Sequence, residues 1–92
     1  MATFVMLGKY SAEAIQGISS DRTTKANEAV QKLGGEIKSM YALLGKYDLV
    51  FVIEFPGIEE AMKASIAINK LTGISFTTSQ AIPVNRFDTI MD

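Results

Sequence analysis

The run Leu49-Val50-Phe51-Val52-Ile53-Glu54-Phe55 is the feature that most restricts how this chain can fold. Its β-branched and aromatic residues suit a strand. Side chains in a strand alternate between faces. One face then carries Leu49, Phe51, Ile53 and Phe55, and the other carries Val50 and Val52 between Asp48 and Glu54. Neither face is suited to water, so the sheet holding this strand needs cover on both sides. The run Thr3-Phe4-Val5-Met6-Leu7 has the same character, with Phe4 and Met6 set against Val5 and Leu7. Two strands that are apolar on both faces argue against an open sheet with one face left in solvent, and a monomer with an unusually apolar open face is the alternative.

The rest of the chain supplies cover for only one of those faces. Residues 3–10 read as a first strand, and 12–33 as a helix with a weak point at Gly17 and Ser19-Ser20. Ser20 or Asp21 is suited to cap a second segment of that helix. Gly34-Gly35 stops it, because glycine accepts the left-handed conformation that ends helices. Residues 36–44 and 48–55 read as a hairpin of two strands around Gly45-Lys46-Tyr47-Asp48. Pro56-Gly57 closes the third strand, 58–72 reads as a second helix stopped by Gly73, and 74–82 as a fourth strand ended by Pro83. The order β-α-β-β-α-β, with short connections and right-handed crossovers, predicts an α+β, ferredoxin-like fold. Its antiparallel four-stranded sheet has the order 4-1-3-2, with both helices on one side. Residues 1–92 then form a single domain. Val84, Phe87, Ile90 and Met91 give the last residues an apolar face, which predicts a short C-terminal arm (about 84–92) docked on the body. The uncovered second face predicts a homodimer packed sheet to sheet, the commonest symmetry of assembly.

Composition removes whole classes of chemistry. The 92 residues contain no cysteine and no histidine. Disulfides, thiolate nucleophiles and thiolate metal sites are excluded, as are the commonest metal ligand and the commonest neutral-pH base. Nine basic residues against ten acidic ones leave a net charge of −1, with no basic field for nucleic acid. No stretch approaches the ~20 apolar residues of a membrane span. The apolar start Met1–Leu7 lacks the basic lead of a signal peptide. A cytoplasmic protein with no metal, no cofactor, no nucleic-acid partner and no membrane partner is the expectation.

Two groups of residues remain as candidate sites. The segments Gly8-Lys9-Tyr10 and Gly45-Lys46-Tyr47 echo one another and meet at one end of the sheet if the first and third strands are antiparallel neighbours. Lys9, Tyr10, Lys46, Tyr47 and Asp48 would then offer two ammonium groups, two phenols and a carboxylate to a zwitterion or anion. The same residues also have a structural reading, since Asp is suited to turns and Tyr to covering a sheet end. The second group lies on the uncovered face. There Ser39 and Glu54 are expected nearly opposite one another, with Tyr41 nearby and Thr77 on the fourth strand. Ile37, Tyr41 and Leu43 are expected to extend the apolar face of Val50 and Val52. Arg22, near the apolar stripe of the first helix, is suited to snorkelling, to an ion pair with Asp21 or Glu13, or to a carboxylate ligand.

These residues carry a resemblance. Gly45-Lys46-Tyr47-Asp48-Leu49-Val50 fits the Gly-x-Tyr-Asp signature of the GYD-domain family. The similarity extends through Gly8-Lys9-Tyr10, Gly34-Gly35-Glu36, Met40–Leu44, Ala61–Leu71 and Thr72–Thr78, from Phe4 to about Phe87. It implies a small bacterial or archaeal cytoplasmic protein with a dimeric α/β-barrel fold, and it implies no reaction. More distantly the turn resembles part of the effector-binding domain of Lrp/AsnC-type regulators, which sense amino acids at subunit contacts. The expected function is a non-catalytic homodimeric module that binds a small molecule or a partner protein. One alternative is a cofactor-independent enzyme of monooxygenase or isomerase type, with Glu54 as base and Tyr41 as proton donor. Another is an assembly module that uses its apolar second helix as the contact surface.

Overall fold

A computed structural model describes residues 1–92. In chain order the elements are β1 (Ala2–Tyr10), α1 (Ala12–Gln16), α2 (Ser20–Lys32), β2 (Glu36–Ala42), β3 (Leu49–Phe55), α3 (Ile58–Thr72), β4 (Ile74–Ala81) and α4 (Val84–Met91). The four strands form one antiparallel sheet in the order β2-β3-β1-β4, which is the expected 4-1-3-2 read from the other edge. No helix is long and apolar enough to cross a membrane.

Alternation places the core. Leu49, Phe51, Ile53 and Phe55 on β3 and Phe4 and Met6 on β1 are buried beneath the helices. From above, Val30 of α2 and Ala61, Ala64 and Ile68 of α3 close over them. The Phe4 and Phe55 rings meet edge to face, 6.0 Å between centroids. Full burial of each large side chain contributes about 1.5–3 kcal/mol. The molecule is only 18 Å deep, the thickness of one sheet and one layer of helices. The opposite face of the sheet is bare.

The first helical region is two helices, not one. Ser19 adopts an extended conformation (φ −163°, ψ 157°), and its Oγ accepts the Arg22 N–H at 3.1 Å. The cap therefore falls on Ser19 rather than on Ser20 or Asp21. Ser11 caps α1 in the same way, accepting the Ala14 N–H at 3.0 Å. Gly34 (φ +77°) and Gly73 (φ +77°) end α2 and α3 in the left-handed conformation.

The C-terminal run is helical, but it is not docked on its own chain. No residue of α4 is buried, and Phe87 and Met91 face solvent. The chain's longest dimension is 48 Å, and its radius of gyration, 13.7 Å, exceeds the roughly 12 Å of a compact chain this long. The apolar face of α4 shows that it needs cover, but nothing in its own chain provides it.

Packing beneath the Gly34–Gly35 turn yields a direct test. A Cβ on Gly35 would lie 2.6 Å from the buried Phe55 ring and 2.9 Å from Val30 Cγ1. Gly35→Ala should cost about 1–3 kcal/mol through overpacking, read as a lowered urea midpoint with an unchanged slope.

Candidate functional site

The Gly45–Asp48 turn is tied to the end of β1 on every side. The Asp48 carboxylate accepts the Tyr10 N–H at 2.8 Å and lies 4.0 Å from the Lys9 ammonium. The Asp48 N–H donates to Gly8 O at 2.8 Å, and its own carbonyl accepts the Leu43 N–H at 2.9 Å. Lys9 also donates to the Lys46 carbonyl at 3.0 Å. The two echoed segments do meet at one end of the sheet, and Asp48 joins them. A charged acceptor is well suited to this, since it satisfies one strand-end donor that would otherwise lack a partner.

The five residues do not enclose a common cavity. Lys9 and Tyr10 are successive residues of a strand, so their side chains leave opposite faces. Tyr10 turns to the helix side, where the Arg22 guanidinium lies 5.5 Å from its ring centroid. Lys9 turns to the bare side. Lys46 stays at the turn, its ammonium 5.8 Å from the centroid of the Tyr47 ring. Most of the chemistry of this cluster is therefore spent on the hairpin itself.

Arg22 has a structural role that spacing alone did not reveal. It donates to the Ala14 carbonyl, bridging the break between α1 and α2, and forms no ion pair with Asp21 or Glu13. Gly17 makes room, since a Cβ there would meet the guanidinium at 3.1 Å. The adjoining cavity, between Tyr10, Arg22, Met40 and Thr72, measures only about 40 Å³. A larger groove of about 260 Å³ runs between α3 and β4, lined mainly by Phe4, Ile58, Met62, Ile66 and Phe76. The apolar spacing of the second helix was its only sequence signal.

The bare face of the sheet has a definite layout, because register aligns the strands into rows. One row reads Tyr41-Val50-Leu7-Thr77, the next Ser39-Val52-Val5-Ser79, and the third Glu36-Glu54-Thr3-Ala81. Val5, Leu7, Val50 and Val52 form an apolar centre. Hydroxyls flank it on both edge strands: Ser39 and Tyr41 on β2, Thr77 and Ser79 on β4. The second candidate group, Ser39, Tyr41, Glu54 and Thr77, thus shares one face, but its internal geometry differs from expectation. The register slips between Ile37 and Ser39 and leaves Lys38 without a strand partner. Ile37 consequently pairs with Ile53 and turns to the helix side, away from Val50 and Val52. Ser39 pairs with Val52, and Glu54 faces Glu36 and Thr3 instead. Tyr41 and Thr77 occupy one row on opposite edges, about 14 Å apart at three strand spacings. Within a single chain these four residues line an open surface, not a cavity.

Asp48 separates geometry from charge. Asp48→Asn keeps an acceptor for the Tyr10 N–H and loses only a half-exposed ion pair, so it should cost under about 1 kcal/mol. Asp48→Ala leaves the donor unmatched and should cost about 1–3 kcal/mol. Chemical denaturation of the two variants beside the parent chain measures both.

Comparison with known proteins follows the same lines. The chain is similar to LrpA, the leucine response regulatory protein of Mycobacterium tuberculosis, with a TM-score of 0.59 at 8% identity. That match covers 89% of this chain and 51% of LrpA, so the chain spans about half the length of that regulator. At such identity the likeness concerns the fold alone. TTHA0845 of Thermus thermophilus matches with a TM-score of 0.58 at 24% identity, covering 90% of this chain and 95% of that one. The hypothetical protein PHS023 of Pyrococcus horikoshii matches with a TM-score of 0.55 at 26% identity, covering 90% and 92%. A search of curated proteins returns no match. The GYD domain model matches residues 4–91, nearly the whole chain and the turn that Asp48 ties down, and the chain therefore belongs to the GYD domain family.

Proposed function

We propose that this chain is a non-catalytic module of the cytoplasm that works as a homodimer, sheet against sheet, and holds a small molecule in the seam. The observation that carries this reading is the layout of the bare face. Four apolar side chains, Val5, Leu7, Val50 and Val52, occupy its centre, where water gains nothing and a second sheet gains most. Stacking two such faces about 10 Å apart turns each open surface into one wall of an enclosed space. The flanking hydroxyls of Ser39, Tyr41, Thr77 and Ser79 then offer uncharged hydrogen-bonding groups at its rim. Apolar walls with a few placed polar groups suit a small amphipathic ligand.

An enzymatic reading has less support. Glu54 and Tyr41 stand two rows apart on neighbouring strands, four residues or about 13 Å along the sheet. An acid and a base that share one substrate atom need hydrogen-bond reach of it. The turn cluster at Lys9, Lys46, Tyr47 and Asp48 is committed to the hairpin and serves the ligand only by fixing β1 against β3. Similarity to a leucine response regulatory protein makes free amino acids the first ligands to test, as a proposal drawn from fold likeness.

Two measurements test the reading. Val52→Lys places a charge at the centre of the seam, and sedimentation should show the parent chain as a dimer and the variant as a monomer or aggregate. A compact parent monomer at micromolar concentration would refute sheet-to-sheet assembly. A melting screen against the free amino acids should raise the transition of the parent chain for at least one of them, because a ligand selective for the folded state stabilises it by mass action. No shift at millimolar concentration for any amino acid would remove that ligand class.

A further inference from the structure

Two apolar surfaces lie uncovered on this chain besides the bare sheet face. The first is the face of α4 made by Val84, Phe87, Ile90 and Met91. The second is the stripe Ile58, Met62 and Ile66 on α3, which forms the outer wall of the groove against β4. All seven side chains are between 50% and 74% exposed. We infer that α4 of one copy lies in the α3–β4 groove of a second copy, and that the exchange is reciprocal.

Length, charge and area all fit this occupant. Ile58 to Ile66 spans about 12 Å of helix, and Val84 to Met91 about 11 Å. The groove walls carry no charge, matching the apolar face of α4. Lys63 and Lys70 border the α3 stripe, and neither is in an ion pair. Asp88 and Asp92 border the apolar face of α4 and are likewise unpaired. The first turn of α3 carries Glu59 and Glu60, and the first turn of α4 carries Arg86. Glu59, Lys63 and Lys70 share one flank of the α3 stripe, while Asp88 and Arg86 leave opposite flanks of the α4 face, so Asp88 meets the lysine flank when α4 runs antiparallel to α3.

Area decides for reciprocity. Four apolar side chains exposed to this degree offer on the order of 400 Å² per arm, and the groove a similar amount. One arm in one groove gives each partner only about half of the roughly 800 Å² that a specific interface takes. Two arms exchanged across a two-fold axis meet that requirement and leave neither surface open. The lead-in favours a second copy over the chain's own groove. Ala81 is still paired with Thr3, Pro83 (φ −59°, ψ 144°) follows in an extended conformation, and no residue of the helix after it is buried against its own chain.

This inference goes beyond the sheet-face reading and is tested separately from it. The parent chain has no cysteine, so introduced thiols are the only ones present. A Phe87→Cys chain mixed with a Met62→Cys chain, oxidised at micromolar concentration, should give a covalent pair on a non-reducing gel. The double variant should give a dimer linked at both arms. An internally bridged monomer would overturn the exchange, and so would cross-linking of Phe87→Cys to itself in preference to the mixed pair. Absence of any link with Ile58→Cys, Met62→Cys and Ile66→Cys alike would also overturn it. If the chain still sediments as a dimer in those cases, the sheet-face reading stands. Lys63→Glu with Lys70→Glu should reduce mixed-pair cross-linking about tenfold, and Asp88→Lys with Asp92→Lys should restore it. No rescue would overturn the antiparallel placement.

Discussion

A sheet that is apolar on both faces, in a chain with helices enough for one, is the constraint on which this structure turns. Helix α2 lies over β2, and α3 over β4 and β3, so Phe4, Met6, Phe51, Ile53 and Phe55 leave water completely. The residues between them in sequence, Val5, Leu7, Val50 and Val52, are turned by the same alternation to the side with no cover. Strand geometry thus produces the core and the bare face in one step. No rotation of a strand improves one without exposing the other, because a one-residue slip exchanges the two sets.

Register therefore carries unusual weight, and the Gly45–Asp48 turn holds it. Asp48 accepts from the Tyr10 backbone with its side chain and donates to Gly8 with its own N–H. Both bonds reach across to β1, the neighbour that β3 meets only after the chain has gone through β2. The signature of the family is in this sense a clamp between two strands distant in sequence. It fixes Leu7 beside Val50 and Val5 beside Val52, and with them the apolar centre of the bare face. A motif that reads like a binding site acts here first on the geometry of the sheet.

Most of the fold was legible because its signals are local. The alternation along Leu49–Phe55, the glycines at 34 and 73 and the prolines at 56 and 83 each mark an element by its own chemistry. What escaped depends on partners. The slip between Ile37 and Ser39 arises from how β2 lies on β3, and it turned Ile37 to the helix side and set Glu36 in place of Ile37 opposite Glu54, while the hairpin register itself put Ser39 opposite Val52. Ser19 rather than Ser20 caps α2, and Arg22 reaches back to Ala14 across the helix break, a contact no periodicity contains. Of the candidate residues, the meeting of Lys9 and Asp48 followed from topology. The opposite facing of Lys9 and Tyr10 followed from alternation and could have been read at once. The arm was the hardest case: the spacing of Val84, Phe87 and Met91 states that a surface must be covered, but not which chain covers it.

The uncovered surfaces also bear on where function can reside. Inside a single chain the polar groups near a cavity are few, and Arg22 and Asp48 are already engaged by backbone atoms. The hydroxyls of Ser39, Tyr41, Thr77 and Ser79 form none of the side-chain hydrogen bonds within the chain and stand around an apolar centre. A group held ready in this way gains most when water is removed from it and a partner is supplied, since an unmatched hydroxyl in a dry seam is costly. A ligand that supplies those partners would then stabilise the assembly as well as occupy it. In the proposed sheet-to-sheet dimer, binding and association are linked: a ligand that fills the seam would tighten the pair, and a change that weakens the pair would weaken the ligand by the same factor.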